Sequence, residues 1–321
     1  MTGKRKVSWN LKILETPEEM VEVQALQRLV WPNSETDVIP LHVLITAAQN
    51  GGLVIGAYLD TRSEKELAQK QPHDQVASPL IGFVWGFTGL YYTPDGPRAK
   101  HCSNDLGVHP DYRNSGVGFA LKRAQWQMVR HQGLDLITWT YDPLLSRNAY
   151  LNITRLGAVC CRYQQDHYGE MKDGLNSGIP SDRLLVDWWV NTQRVQRRLS
   201  RRARQPLNLM HFLSAGTQIV NPSRAGKADT APLPADKPIE VKRDQENGGD
   251  ILLVEIPADF QALKISEPQL ALEWRLHTRS LFENLFQQGY WVTDFVYTTG
   301  EDPRSFYVFT HGESTLLTKQ R

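Results

Sequence analysis

The most constraining feature of the sequence is a stretch in its first half that ends a strand and restarts the chain as a helix. Residues 104–118 read NDLGVHPDYRNSGVG. An apolar strand pattern ends at Val108, Pro110 interrupts it, and a helical spacing of apolar residues follows. Gly116 and Gly118 lack a Cβ, so the backbone there can turn sharply and approach a ligand closely. A helix that begins in such a loop presents unpaired N–H groups, which predicts an anion site suited to a pyrophosphate; a simple turn is the alternative.

The predicted elements around this loop alternate between strands and helices. Residues 8–15 alternate apolar and polar side chains as a half-buried strand does, and Thr16 with Glu19 predicts a capping box that opens the following helix. The turn TPDGP at residues 93–97 joins two apolar runs into an antiparallel hairpin. The apolar strand LDLITWTYD at residues 134–142 follows a helix, which indicates a parallel crossover. The sequence therefore predicts an α/β (α+β) protein with a mixed, mostly antiparallel sheet.

The loop and the element order together resemble the GNAT superfamily of N-acyltransferases. The acyl-CoA-binding motif of that superfamily is Arg/Gln-x-x-Gly-x-Gly/Ala after Leu-x-Val-x-Pro, and the residues that match it here are Leu106, Val108, Pro110, Arg113, Gly116 and Gly118. The resemblance covers residues 7–190, where SRNAYLNITRLGA is similar to the family's Asn-containing helix. It implies the GNAT fold, with a splay after the fourth strand, plus a smaller C-terminal α/β segment. More narrowly, TWTYDPLLSRNAYLN and SDRLLVDWWV resemble a bacterial branch, some relatives of which are linked with N-succinylamino acid metabolism.

The resemblance implies that acetyl-CoA or another acyl-CoA is the co-substrate. The CoA pyrophosphate would lie on the N–H groups of residues 113–118, and pantetheine would run between strands 103–108 and 134–142, where a β-bulge breaks the ladder. A backbone N–H near the end of the first of these strands would stabilise the oxyanion formed at the thioester. The binding residues that the resemblance implies are Leu106, Gly107, Val108, Arg113, Asn114, Ser115, Gly116, Val117, Gly118 and Asn148.

The implied reaction is direct attack by an amine on the thioester. It requires a base near neutral pH, because an alkylammonium has a pKa of about 10.4. The candidates are His101, Asp105 and His109 on the strand that enters the splay; a surface histidine, a hairpin-face carboxylate and a strand-end cap are the respective alternatives. Many relatives have a Tyr four residues before the glycine that ends the next helix, and this Tyr protonates the thiolate leaving group. This chain has Ile153 at that position. Tyr150, one turn earlier, and Asn152, which adjoins Ile153, are the candidate substitutes; the alternative is that no acid is needed, because a CoA thiolate is a tolerable leaving group.

Composition and charge exclude several other classes of protein. The 321 residues include 36 Lys+Arg and 35 Asp+Glu, so a net charge of +1 gives no global field that attracts nucleic acid or acidic membranes. No apolar run approaches the ~18 residues that a membrane span needs. Three cysteines make no disulfide framework, and neither CxxC nor HExxH occurs. We therefore expect a cytoplasmic globular protein with no metal, no membrane partner and no nucleic-acid partner.

The sequence changes character after about residue 190. Six arginines lie between Arg194 and Arg204; a solvated helix face is the main interpretation, and contact with RNA or the 3′-phosphate of CoA is the alternative. Residues 214–249 are rich in Ala, Pro, Gly and charged residues and have little periodicity. The predicted organisation is a GNAT domain at 1–200, a linker or extended excursion at 201–249, and a small strand-helix-strand-strand segment at 250–321 that is a degenerate GNAT half or mediates a homodimer.

These features predict an N-acyltransferase that transfers an acetyl group, or a related group such as succinyl, from CoA to the amine of a small molecule such as an amino acid. Two alternatives belong to different classes. The missing Tyr and the undefined base favour a catalytically silent acyl-CoA-binding or interaction protein. The arginine run alone supports an acetyltransferase that acts on protein or RNA.

Overall fold

The structure, a computed structural model, describes residues 8–32, 35–60, 78–169, 179–200, 205–224, 232–236 and 251–311. The loop predicted for residues 60–78 therefore lies, apart from its ends, outside the described residues. Two compact units make up the chain, Met1–Thr138 and Trp139–Arg321. No helix in the described ranges is both long and apolar enough to cross a membrane.

The first unit is built on a sheet of five strands in the order β1-β2-β3-β4-β5. All neighbours are antiparallel except β4 and β5, which are parallel. The last three residues of β5 belong to the second unit. The elements are β1 (Trp9–Ile13), α1 (Pro17–Val30), α2 (Leu41–Gln49), β2 (Leu53–Leu59), β3 (Leu80–Thr93), β4 (Gly96–Val108), α3 (Val117–His131) and β5 (Leu136–Tyr141).

An apolar core lies on each face of this sheet. Helices α1 and α2 cover one face, where Met20 and Leu44 pack in a cluster with Trp85. Helix α3 covers the other face, where Leu121 packs in a cluster with Val84. The capping box that the sequence predicts at the start of α1 is present, because the Thr16 hydroxyl accepts from the backbone N–H three residues later and the reciprocal bond also forms.

A β-bulge interrupts the hairpin of β3 and β4 near the end of β4. Val84 pairs with Leu106 and Gly86 pairs with Ser103, so β4 has one residue more than β3 between these pairs. The extra residue changes which side chains share a face, because side chains alternate along a strand and a single inserted residue reverses that alternation.

The ladder between β4 and β5 is short. Its registered pairs are His101–Ile137 and Cys102–Thr138. β4 continues to Val108 beyond these pairs and remains bonded to β3 there. The ladder with β5 thus ends just before the bulge, which is the arrangement that the predicted splay after the fourth strand requires.

The second unit contains a sheet in the order β7-β6-β10-β11-β9-β8. Its pairs are antiparallel except β8 with β9. The elements after β5 are α4 (Ser146–Ala149), a π-helical turn (Tyr150–Arg155), β6 (Val159–Gln164), β7 (Arg183–Trp189), α5 (Gln193–Leu199), α6 (Leu209–Ser214), β8 (Gln218–Ile219), β9 (Ile251–Ile256), α7 (Phe260–Ser266), α8 (Pro268–Gln287), β10 (Tyr290–Tyr297) and β11 (Ser305–His311).

The boundary between the compact units differs from the domain boundaries expected from the sequence. The chain divides at Thr138 rather than near residue 200. The physical reason is that β10 pairs with β6 through Val292 and Cys160, so the C-terminal strands extend the same sheet as β6 and β7. The described part of the predicted linker also holds α6 and β8, and Phe212 of α6 is buried in a cluster with β9 and β11. The predicted organisation into residues 1–200, 201–249 and 250–321 stays a prediction.

Two helix predictions also need correction. The spacing of Ser266 and Gln269 in the sequence predicts a capping box at the start of a long helix. This prediction is wrong, because Ser266 is the last residue of α7, and α8 begins after Glu267 without a side-chain cap. The helix predicted for residues 146–156 is one α-helical turn followed by a π-helical turn. Within the π-helical turn, the Thr154 hydroxyl donates to Asp294 and to the Phe295 carbonyl oxygen of β10.

Candidate active site

The predicted phosphate loop connects the end of β4 to the start of α3. Residues Pro110–Tyr112 form a single 3₁₀ turn, which the His109 ring caps by accepting from the Asp111 N–H at 3.3 Å. Asn114 has a φ of 63° and Gly116 a φ of 98°, both in the left-handed region that Asn and Gly tolerate best. These two conformations reverse the chain so that α3 can begin at the next residue.

Three consecutive backbone N–H groups at the start of α3 have no backbone acceptor among the described residues. They belong to Gly116, Val117 and Gly118. The N–H groups of Arg113 and Ser115, by contrast, donate to carbonyl oxygens within the loop at 3.3 and 3.4 Å. Within the predicted loop, the N–H groups that could bind an anion therefore lie in the second half, at the positive end of the helix dipole.

Gly118 is not required by the protein's own packing. A Cβ added there would lie 3.5 Å from Leu106 and 3.8 Å from Val108, which are ordinary van der Waals distances. Gly107 is different, because an added Cβ would lie 2.5 Å from the Phe83 ring. An open backbone at Gly118, with room on the protein side, is the arrangement that a closely approaching phosphate group uses.

The bulge separates the two main candidates for the base onto opposite faces of the sheet. His101 and Ser103, before the bulge, face α3, where both side chains join the network of Lys122. Asp105, within the bulge, instead accepts from the Trp85 indole N–H at 2.8 Å, on the face that α1 and α2 cover. A regular strand would have placed Asp105 on the same face as His101, since both are odd-numbered positions.

Asp105 lies at a partly buried position with an unusual charge environment. Burial raises its pKa, and the nearby Asp37 carboxylate raises it further, while hydrogen bonds from Trp85 and Asn104 oppose the shift. A carboxylate with a raised pKa is a stronger base than an ordinary aspartate, and it still has access to solvent on this side of the sheet. These are the properties that proton removal from an ammonium group requires.

His101 is fully buried in a polar network under α3. Its Nε2 lies 3.1 Å from the Gln125 amide nitrogen, and burial, with the nearby Lys122 charge, lowers the pKa of His101 to about 3. Gly86 makes room for the ring, because an added Cβ there would lie 2.4 Å from Nε2. An imidazole held neutral and out of contact with solvent orders the interior of the first unit, and the role predicted for it as a base stays a prediction.

Lys122, at the centre of this network, makes stability depend on pH. Burial lowers its pKa from 10.5 to about 7, so the unfolded chain binds a proton between these values that the folded chain does not. Below pH 7 the folded protein is destabilised by the full free energy of burying a charged ammonium. This destabilisation disappears as the pH rises to 10.5, so the free energy of unfolding increases with pH across this window.

We expect Lys122→Met to reduce the slope of unfolding free energy against pH by about 1 kcal/mol per pH unit within this window. Urea unfolding at a series of pH values between the two pKa values measures the slope. Lys100→Met, the same change on the outer part of the β3–β4 hairpin, is the control and should keep the wild-type slope. Identical slopes for wild type and Lys122→Met would show that the ammonium is not desolvated.

The remaining predicted residues lie in the second unit. Asn148 lies in the half-buried part of α4, and no hydrogen bond among the described residues engages its side chain. Tyr150 is the first residue of the π-helical turn, and its ring packs edge-on against Tyr297 with 5.1 Å between the centroids. Ile153, at the position where relatives have Tyr, is completely buried. Tyr150 therefore presents a partly exposed hydroxyl-bearing ring while Ile153 does not.

The described part of the arginine run makes intramolecular contacts. Arg194 donates to the carbonyl oxygens of Gly157 and Thr293, and Arg198 pairs with Asp294 at 2.6 Å. Residues 201–204 lie outside the described residues. Arg194 and Arg198 thus attach α5 to the rest of the second unit. These two arginines therefore give less support to a protein or RNA substrate than the sequence alone suggests.

Three residues of the site region are missing from the sequence-based predictions. Trp85 orients Asp105, and Lys122 and Gln125 hold His101. The signal for the last two is weak but present: both are polar residues next to the apolar stripe of a predicted helix. No group of three or more potential metal ligands occurs in the ranges that the structure describes.

The order of elements from β1 to β7, the bulge in β4 and the glycine loop before α3 are those of the GNAT fold. The predicted fold class is therefore confirmed, and the resemblance stated from the sequence is confirmed at the level of the fold. No protein-family model matches the sequence, and no curated protein matches it.

Several solved structures are similar to the chain. The acetyltransferase of the GNAT family from Streptococcus pneumoniae is 14% identical with a TM-score of 0.41, and the match covers 56% of this chain and 98% of that chain. NAA60 of Arabidopsis thaliana in complex with acetyl-CoA is 17% identical with a TM-score of 0.44, over 57% and 99%. The ribosomal-protein-S18-alanine N-acetyltransferase from Escherichia coli is 12% identical with a TM-score of 0.39, over 57% and 94%. Each match spans nearly all of the other protein and a little over half of this one.

Proposed function

We propose that this protein is a GNAT-type N-acyltransferase that transfers an acetyl group, or a related short acyl group such as succinyl, from acyl-CoA to the amine of a small molecule such as an amino acid. The single observation that carries the proposal is the set of N–H groups at Gly116, Val117 and Gly118, which have no backbone acceptor among the described residues and lie in the loop that follows the bulged strand β4. This set is a preformed site for a diphosphate, which is the most highly charged part of a CoA ester.

The chain's own residues fit the acyl-CoA group. Gly118 leaves space that no neighbouring side chain fills, and Asn148 has an amide that described residues do not engage. Arg113 is exposed in the loop, so its guanidinium is free to approach a phosphate. Leu106 and Val108 end β4 beyond its ladder with β5, where backbone groups remain for the pantetheine arm.

The proposed chemistry is direct transfer. The amine nitrogen attacks the thioester carbonyl carbon, a C–N bond forms, and the C–S bond breaks as the thiolate leaves with its electron pair. Asp105 accepts the proton that the ammonium group loses, because its carboxylate is more basic than usual and lies beside a second carboxylate, Asp37, that favours a cation. Tyr150 supplies a hydroxyl that can protonate the departing thiolate.

Two measurements on the full chain test the proposal. Calorimetric titration with CoA measures binding, and free thiol release from acetyl-CoA and succinyl-CoA with a panel of free amino acids and other small amines measures transfer. We expect binding and thiol release with at least one small amine. Binding without turnover of any amine would instead identify a silent acyl-CoA binder, and absence of CoA binding would overturn the assignment.

A further inference from the structure

The second unit contains a buried cluster of charged side chains that the proposed acyl transfer does not use. It consists of Arg275 and Arg279, one helical turn apart on α8, with Asp142, Asp182 and Arg183 from the ends of sheet strands. Tyr163 of β6 completes it. Arginine and aspartate side chains are rarely buried unless they are paired, so the partner of each charged group in such a cluster must be identified.

Both carboxylates of the cluster are already fully engaged. Asp182 receives two hydrogen bonds from Arg279, at 2.7 and 2.8 Å, and a third from the Tyr163 hydroxyl at 2.7 Å. Asp142 receives one bond from Arg275 at 2.6 Å and one from the Leu144 N–H at 2.9 Å. Both oxygens of each carboxylate thus accept a hydrogen bond.

Arg275 is the group left incomplete by this arrangement. Arg275 is only 1% exposed, and its Nε and Nη1 atoms are buried with no hydrogen-bond partner among the residues that the structure describes. Leaving donors of a charged group unpaired in the interior destabilises the folded protein. Such groups are few in native structures, and each has a cause, such as a functional role or an ordered water or ion that supplies the missing acceptor.

The cluster reaches solvent through half-exposed and exposed residues. Tyr163 and Arg183, both close enough to Arg275 to affect its electrostatics, are half-buried. The Arg183 guanidinium donates to the Asp182 carbonyl oxygen at 2.9 Å and lies over the ring of Tyr168, which is exposed. The nearest exposed carboxylate, Asp166, is bonded to the Ser181 N–H and hydroxyl instead.

The buried and half-buried groups therefore carry three guanidinium charges against two carboxylate charges. An incoming carboxylate would balance this excess and would supply two oxygens in a plane, which matches the fork of N–H donors on a guanidinium. A neutral ligand would provide acceptors but would leave the charge excess.

We propose that Arg275, with Arg183 and Tyr163, forms a binding site for the carboxylate group of a small-molecule substrate. The identity of that substrate rests on the proposed function. In an acyl transfer, the carboxylate would belong to an amino-acid acceptor or to a succinyl group. The site would make the enzyme selective for substrates that carry a free carboxylate.

Direct binding tests the site without relying on catalysis. Saturation-transfer NMR on the full chain uses L-alanine and succinate as probes, with L-alaninamide and succinamide as neutral counterparts and inorganic phosphate as a competing anion. We expect the two carboxylates to bind and the amides to bind roughly tenfold more weakly or worse. Equal binding of acids and amides, or binding of phosphate in place of the carboxylates, would overturn the proposal.

Two variants locate the site. Arg275→Lys keeps the positive charge that pairs with Asp142 but removes the unpaired donors, so it should fold and lose carboxylate binding about tenfold. Arg183→Gln, which removes the half-buried guanidinium of the site, should also weaken carboxylate binding about tenfold. Arg162→Gln is the matched control, because Arg162 is the neighbour of Tyr163 on β6, pairs with Asp187, and points to the opposite face. Wild-type binding in both test variants would exclude these residues.

Kinetic measurements on the same preparations identify the source of the carboxylate. A preference for L-alanine over L-alaninamide with acetyl-CoA, lost in Arg275→Lys, assigns the site to the acceptor. A preference for succinyl-CoA over acetyl-CoA, lost in the same variant, assigns it to the acyl group. CoA binding without any preference for carboxylates would overturn the carboxylate site and leave the acyltransferase proposal intact. Carboxylate binding without CoA binding would overturn the acyltransferase proposal and leave the carboxylate site intact.

Discussion

Gly118→Glu is expected to abolish CoA binding while leaving the protein folded. The substitution places a carboxylate at the second residue of α3, beside the N–H groups of Gly116 and Val117 that would hold the diphosphate. A carboxylate there both repels the phosphates and competes with them for the same donors. We expect CoA affinity to fall at least ~100-fold, since each lost charge-assisted hydrogen bond contributes about 1.5–3 kcal/mol.

The same substitution should not destabilise the protein. The new Cβ would make only ordinary contacts with Leu106 and Val108, and Gly118 has no positive φ that a side chain would strain. Replacing glycine inside a helix gains up to ~1 kcal/mol, and an acidic residue in the first turn interacts favourably with the helix dipole. The melting temperature should therefore stay the same or rise. Gly116→Asp would be a poorer test, because its φ of 98° adds strain to the loss of binding.

Calorimetric titration with CoA and thermal unfolding of the same samples make the measurement. Gly118→Ala tests for bulk without charge and should weaken binding less than the glutamate does. Gln127→Glu, on the exposed face of the same helix about 14 Å further along, adds an equal charge away from the loop and should bind CoA normally. Unchanged affinity in a folded Gly118→Glu protein would place the diphosphate elsewhere.

The parts of the site that the sequence predicts well are those that depend on local structure. The loop can be found because Pro110 and Gly116 each restrict or permit the backbone conformation at their own position, whatever the rest of the chain does. The capping box at Thr16 and the β3–β4 hairpin are predictable for the same reason. In each case, neighbouring residues contain all the information that is needed.

The parts that sequence analysis misses depend on pairing between distant residues. Alternation along β4 places His101 and Asp105 on one face, but the bulge puts them on opposite faces, and a bulge is defined only by the register with β3. The pairing of β10 with β6 is hidden for a similar reason, since it joins residues more than a hundred positions apart. Arg275 and Asp142 meet across a comparable separation. None of these pairings leaves a local signal in composition or periodicity.

The separation of His101 from Asp105 leads to the second large expected effect. Asp105→Asn should lower kcat by about 100-fold and leave CoA affinity unchanged, because it removes the proton acceptor but keeps the shape of the side chain and an oxygen that accepts from Trp85. The base acts in its ionised form, so the wild-type kcat/KM should fall as the pH drops through the pKa of Asp105. Since burial raises that pKa, the fall should occur at a higher pH than for an ordinary aspartate, and Asp105→Asn should lack it.

Trp85→Phe distinguishes a base from a carboxylate that only supports the structure. It removes the indole N–H that stabilises the ionised carboxylate while it keeps an aromatic ring in the core, so the pKa of Asp105 should rise further. The acidic limb of the kcat/KM profile should then move to higher pH, and the rate above that limb should be retained because a stronger base remains in place. A limb that stays where it is in Trp85→Phe, or that persists in Asp105→Asn, would assign the proton transfer to another group. A rate loss that is equal at every pH in Trp85→Phe would instead show that the substitution acts through packing of the core. A change in the pKa of a catalytic base alters the rate only in the pH range where that base titrates.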